Sequence, residues 1–318
     1  MLLMKKFSKY GIIVLFFLGC LEITAQQLPQ FTQYMFNTIS INPAYAGSRE
    51  TLSIVGLHRS QWVGLEGAPT TSTVSIHSPL KNEKIGLGAT AINDELGYEN
   101  FVYVNGAFSY TIQVSEKTKL ALGLSAGFIH YSLDRAGFLD DQSVSQDPFF
   151  SNFTNRWNPN FGVGAYLHQN RWYLGLSAPR IINTNYNESA LDPNVDYIAL
   201  ERVGYYFTGG YVFDLGENTK LKPSTVVKFT NGAPITFDLS VHLLFNETFW
   251  IGGSYRYNQD TSTIGGLADF QISPQMRIGY AYEHYITDLR PYTGGTHEIL
   301  LMFEVFKPTK RVKSPRYF

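Results

Sequence analysis

Residues 235–245 read ITFDLSVHLLF. Every second position is apolar: Ile235, Phe237, Leu239, Val241, Leu243 and Phe245. The intervening set is Thr236, Asp238, Ser240, His242 and Leu244. Side chains on a β-strand alternate between two faces, so this segment has one oily face and one largely polar face. The pattern recurs from Val203 to Phe213, where Val203, Tyr205, Phe207, Gly209, Tyr211 and Phe213 oppose Gly204, Tyr206, Thr208, Gly210 and Val212. It recurs again in Leu120, Leu122, Leu124, Ala126 and Phe128, and in Met276, Ile278, Tyr280 and Tyr282.

Extending this criterion along the chain predicts about fourteen strands. Their cores are 51–59, 70–78, 84–93, 100–114, 118–131, 159–169, 171–179, 202–214, 219–230, 235–246, 248–257, 262–272, 275–286 and 296–306. Most of these lengths suit a tilted strand of about 9–11 residues crossing a bilayer. The gaps sort by parity. Those after even-numbered strands are short and polar, as in residues 115–119, 216–220 and 246–248, whereas the long connections, near 132–158 and 180–201, follow odd-numbered strands. A shorter Pro-Gly loop near 288–295 joins the second set. Outer-membrane barrels have short periplasmic turns and longer outer loops, and a soluble β-sandwich has no reason to sort its loops in this way. The fold expected is an all-β, transmembrane, antiparallel up-and-down barrel of about fourteen strands, with both chain ends on the periplasmic side.

The N-terminus carries Lys5, Lys6 and Lys9, an apolar stretch from Gly11 to Leu21, and Ala25 ahead of Gln26. This is the layout of a cleaved secretory signal, so residues 1–25 are assigned to it. Cleavage removes Cys20, the single cysteine, and excludes thiolate chemistry and internal disulfides. It leaves 22 basic against 25 acidic residues, a formal charge of −3, which argues against nucleic acid as a partner. No later window holds the roughly 18 apolar residues of a spanning helix. Tyrosine (21) and phenylalanine (23) are abundant, as membrane-interface girdles require.

Residues 26–49 precede the first strand. Phe31, Tyr34, Met35, Phe36 and Tyr45 are unlike the polar composition of a flexible linker and favour a plug-like segment folded against or into the periplasmic mouth of the barrel, which spans 50–306. Residues 307–318 form a tail with Lys307, Lys310, Arg311, Lys313 and Arg316. It is read either as a contact for an acidic periplasmic partner or as a solvated end. On the polar strand faces, Asp238, His242, Arg256, Asp269, Arg277, Glu283, Glu298 and Glu304 are expected in the lumen as an ion-pair network. The last strand, with His297, Glu298, Phe303 and Phe306, alternates and ends on an aromatic, as a strand recognised during barrel assembly does.

Chemistry-bearing motifs are absent: there is no GxxxxGK[ST], HExxH, GxSxG or EF-hand spacing. Asp140, Asp141 and Asp147 lack the ligand spacing of a calcium loop and read as solvated loop acids. The seven histidines are scattered. No cofactor, metal or catalytic group is expected. His58 stands alone as a candidate ligand, and the stretch around it reads as a structural loop anchored by Trp62.

The run QYMFNTISINPAYAGS at 33–48, followed by HRSQWVGLEGAPTT at 58–71 and GTHEILLMF at 295–303, resembles the PorP/SprF family of type IX secretion system outer-membrane proteins. The resemblance covers essentially the whole mature chain. Two features depart from the pattern: Thr38 follows Asn37 where proline is expected, and a basic tail follows the last strand. The resemblance implies a non-enzymatic role in exporting or surface-anchoring secreted proteins with C-terminal sorting domains, including the adhesins of gliding Bacteroidota. It also implies partners among periplasmic or lipoprotein components of the machine, with outer-membrane lipids around the barrel. It gives Phe31, Tyr34, Met35, Phe36, Asn42, Pro43, Tyr45, Gly47, Arg59, Trp62 and Gly64 a partner-contacting or structural role. The competing reading is a passive channel or a transporter of hydrophobic substrates, with the N-terminal segment as its hatch.

Overall fold

The computed structural model describes residues 29–133, 156–184, 201–258, 261–287, 290–305 and 317–318. Its strands are β1 (Leu52–Ser60), β2 (Thr70–Pro79), β3 (Ile85–Leu96), β4 (Glu99–Gln113) and β5 (Lys119–Leu133). There follow β6 (Arg156–His168), β7 (Trp172–Ala178) and β8 (Gly204–Tyr211), which resumes after Val212 as Phe213–Asp214. The remainder are β9 (Thr219–Thr230), β10 (Thr236–Phe245), β11 (Phe249–Tyr257), β12 (Thr263–Ser273), β13 (Met276–Tyr285) and β14 (Thr296–Val305). Each pairs antiparallel with its neighbours in sequence, and β14 pairs with β1 from Val305 opposite Leu52 to His297 opposite Ser60. The sheet therefore closes into a fourteen-stranded barrel with no free edge, the arrangement that satisfies strand backbones in lipid.

The alternation read from residues 235–245 sets which way the side chains face. Phe237, Leu239 and Val241 are exposed on the outer wall, while Thr236, Ser240 and His242 are buried on the inner one. Around the barrel, Leu124, Phe128, Leu176, Tyr205 and Ile251 likewise stand on the outside. So much exposed apolar area is foreign to a water-facing monomer and matches a bilayer solvent. Among the described residues no helix is long and apolar enough to cross a membrane.

One rim carries the short turns at 80–84, 114–118, 169–171, 215–218, 246–248 and 274–275. The other carries the loop 61–69, the loop 286–295 and the two long connections. Asp140, Asp141 and Asp147, read from sequence as solvated loop acids, lie outside the described residues.

Candidate functional site in the lumen

The interior is filled by the chain's own N-terminal segment. Between Phe31 and Ala46 every residue but Ser40 is buried. Three single 3-10 turns carry it: Tyr34–Phe36, Thr38–Ser40 and Pro43–Tyr45. Asn42 starts the third, its side-chain oxygen accepting from the Ala44 amide at 3.0 Å, with Pro43 in the first-turn position where its missing N–H costs nothing. Short turns of this kind let the segment wind while presenting Phe31, Tyr34, Met35, Phe36 and Ile41 to the inward-facing Val55, Leu57, Leu300 and Met302.

Ionised groups grip the start of the segment. Glu298 of β14 accepts from the amides of Thr32 (2.9 Å) and Gln33 (2.7 Å). Arg59 of β1 bridges Glu298 (3.2 Å) and Glu283 of β13 (2.7 Å) and donates to the Thr32 hydroxyl at 2.8 Å. Arg256 of β11 pairs with Glu283 and Asp238 and donates to the Phe31 carbonyl at 3.3 Å. Arg59, Glu283 and Glu298 are each about 1% exposed. A second inward pair, Asp269 with Arg277, lies under the ring of Phe36. The expected lumenal ion pairs are present except at His242, whose ring instead meets Trp250 edge-on, and the network's members reach onto the segment's backbone.

The middle of the segment is held by neutral groups. Ser75 donates to Asn37 at 2.6 Å, Ser177 to the Ile41 carbonyl at 2.6 Å, Ser109 to the Ala46 carbonyl at 2.6 Å, and Asn42 to the Ala165 carbonyl at 3.1 Å. These partners come from β2, β7, β4 and β6, so the segment is surrounded by the wall. The wall also makes room for it. A Cβ added at Gly123 would collide with the Ala44 backbone, at Gly164 with the Asn42 side chain, and at Gly86 with the Ala46 carbonyl.

Residues Glu298, Arg59 and Arg256 sit near the long-loop ends of their strands, whereas Gly47, Arg49 and Glu50 are at the short-turn rim. There Gly47 (φ +76°) rests on Pro79 and Gly86, Arg49 pairs with Glu304 at 2.6 Å, and Glu50 with Lys119 at 2.6 Å. The sequence places this segment against or into the periplasmic mouth; the structure carries it much further, through the lumen into the long-loop half, because the amides of Thr32 and Gln33 find their carboxylate there.

The remaining predicted positions separate. Trp62 is half-buried in the β1–β2 loop with its ring 6.5 Å from Tyr285, and Val63 exchanges hydrogen bonds with Gly294 and Gly295, tying the β1–β2 and β13–β14 loops together. Gly64 is exposed with φ +101°. On β14, His297 and Phe303 face outward, His297 hydrogen-bonding Tyr280 at 2.6 Å, while Glu298 faces in. Phe306 lies outside the described residues. Sequence reading missed the glycine seats and Arg49. Among the described residues no group of His, Cys, Asp and Glu could hold a metal.

Residues 23–303 match the family described as type IX secretion system membrane protein PorP/SprF. Among solved structures the chain is similar to the CymD monoaromatic hydrocarbon channel, at TM-score 0.52 and 11% identity over 88% of this chain and 94% of that one. It is also similar to Omp33 of Acinetobacter baumannii (TM-score 0.47, 11% identity, 80% and 98% covered) and to the P. putida toluene transporter TodX (0.47, 10%, 85% and 94%). The CymD likeness is one of fold and agrees with the closed barrel. No curated protein matches the sequence. The family match takes in the lumenal segment and all but the end of β14, so the chain belongs to the PorP/SprF family of type IX secretion system membrane proteins.

Proposed function

We propose that the protein is a non-enzymatic outer-membrane component of the type IX system that helps export or surface-anchor secreted proteins with C-terminal sorting domains and links them to the periplasmic machinery. Family membership supplies the system; the observation that carries the mode of action is the filled lumen. A barrel whose interior is occupied by its own segment, gripped by buried ion pairs and seated on glycines, offers its rims and not a bore. The outer loops and the short-turn rim, with the periplasm on the latter side, are then the partner-binding surfaces. The surface-anchored cargo includes adhesins in gliding species.

The test is a mild-detergent pull-down of the tagged barrel from its native envelope, with partners identified by mass spectrometry. Recovery of a large secreted protein with a sorting domain, or of secretion-system lipoproteins, supports the reading. Recovery of the barrel alone, together with steady conductance in planar bilayers, moves the assignment to a passive channel or hydrophobic-substrate transporter. Deleting 143–155 without loss of partner binding removes that outer loop from the interface.

A further inference from the structure

Tyr317 and Phe318 lie in the short-turn mouth, beside the base of the lumenal segment. Lys222 of β9, 2% exposed, donates to the Tyr317 carbonyl, and its ammonium stands 4.8 Å from the Phe318 ring and 5.4 Å from that of Trp250. Lys220 donates to the Tyr317 hydroxyl and lies 4.8 Å over its ring. Arg49 holds the Phe318 carbonyl at 2.8 Å through one nitrogen and Glu304 at 2.6 Å through another. The Phe318 ring meets Tyr173 edge-on at 4.7 Å. It packs both against the wall cluster of Val212, Leu244 and Trp250 and against the cluster that holds Ile39, Ala44 and Tyr45 of the lumenal segment.

Two features of this arrangement go beyond a packed chain end. Lys222 has no carboxylate within ion-pair distance among the described residues, so what stands in for water around its charge is a carbonyl and two aromatic faces, an environment that suits an ammonium. Withdrawing the pair leaves that charge bare or lets water into the mouth, and an uncompensated buried charge is strongly unfavourable. Arg49, for its part, follows directly on the lumenal segment, so a single guanidinium joins that segment, β14 and Phe318.

We propose that Tyr317–Phe318 is a latch: an intramolecular ligand seated in a cationic, aromatic-walled site at the short-turn mouth, which retains Phe31–Ala46 in the lumen while it is seated. The proposal goes beyond the export reading and stands without it. It predicts that the same site accepts an aromatic pair supplied in trans.

The test compares the full chain with Tyr317→Ala/Phe318→Ala and with Lys222→Met, which break the contact from opposite sides. Heat-modifiable gel mobility reports the folded barrel, and hydrogen exchange reports the backbone amides of residues 32–46. The expected result is exchange faster by about tenfold or more in that segment in both variants, since local opening sets amide exchange, with strand protection unchanged. A synthetic peptide of residues 307–318 should restore protection to the double variant, and the same peptide with alanine at both aromatic positions should not. Unchanged exchange in both variants overturns the latch. So does equal loss of protection throughout the strands, or a failure of the aromatic peptide to rescue, either of which marks the pair as packing only.

Discussion

Glu298, about 1% exposed, accepts from two backbone amides and a guanidinium. Such a cluster contributes little net stability when intact, because its desolvation offsets its attraction, but removing one partner leaves charges uncompensated at a cost of about 3–5 kcal/mol. Arg59→Met should therefore lower barrel stability by about that amount, read as the urea midpoint of the folded band in detergent; an unchanged midpoint would show that water already enters the cluster. That Glu298, Glu283, Asp238 and Arg256 face inward was legible from strand parity alone. That Glu298 receives Thr32 and Gln33 was not, since the partners are 266 and 265 residues apart and nothing local marks a carboxylate as a receptor for amides. Its reading as part of an assembly strand came from the alternation of β14 and the aromatic Phe306 after it, and neither says what the inward carboxylate binds.

The lumenal segment is an element without helix or strand of useful length, and its place depends on the wall. Gly123 and Gly164 are the seats that matter most, because the atoms a side chain would meet belong to Ala44 and Asn42. Gly123→Val should release the segment while the barrel stays closed, seen as rapid proteolysis between Phe31 and Gly47 with unaltered heat-modifiable mobility. Gly266→Ala, where an added Cβ meets nothing within 4 Å, is the control and should change stability by no more than about 0.5 kcal/mol. Resistance of the Gly123 variant to cleavage would sink the idea that close approach holds the segment. The aromatic content of residues 31–45 was enough to predict burial. The glycines were not readable as seats, because a glycine in a strand looks the same in sequence whether it faces lipid, a bulge or another backbone.

For the whole molecule, strand number, order and closure were legible. All fourteen predicted strands are present, with ends displaced by no more than about three residues, because period-2 patterning has to be strong when one face meets lipid. If the lumen is sealed by residues 31–46, deleting that span should convert a silent barrel into a steadily conducting one in planar bilayers. Equal silence before and after deletion would mean that the inward side chains of the wall seal it by themselves.

The contacts between the segment ahead of β1 and the carboxylates of β14 also fix an order of events. Thr32, Gln33 and Arg49 precede β1, and their partners Glu298 and Glu304 lie on β14, 255 to 266 residues later in the chain. Long-range pairing of this kind is slow, because the loop must close before any contact rewards it. Until β14 arrives, β1 presents an open edge, which in solution is a template for aggregation. The species most exposed to aggregation is thus the chain that has paired thirteen strands and still waits for the one that completes both its wall and its filling.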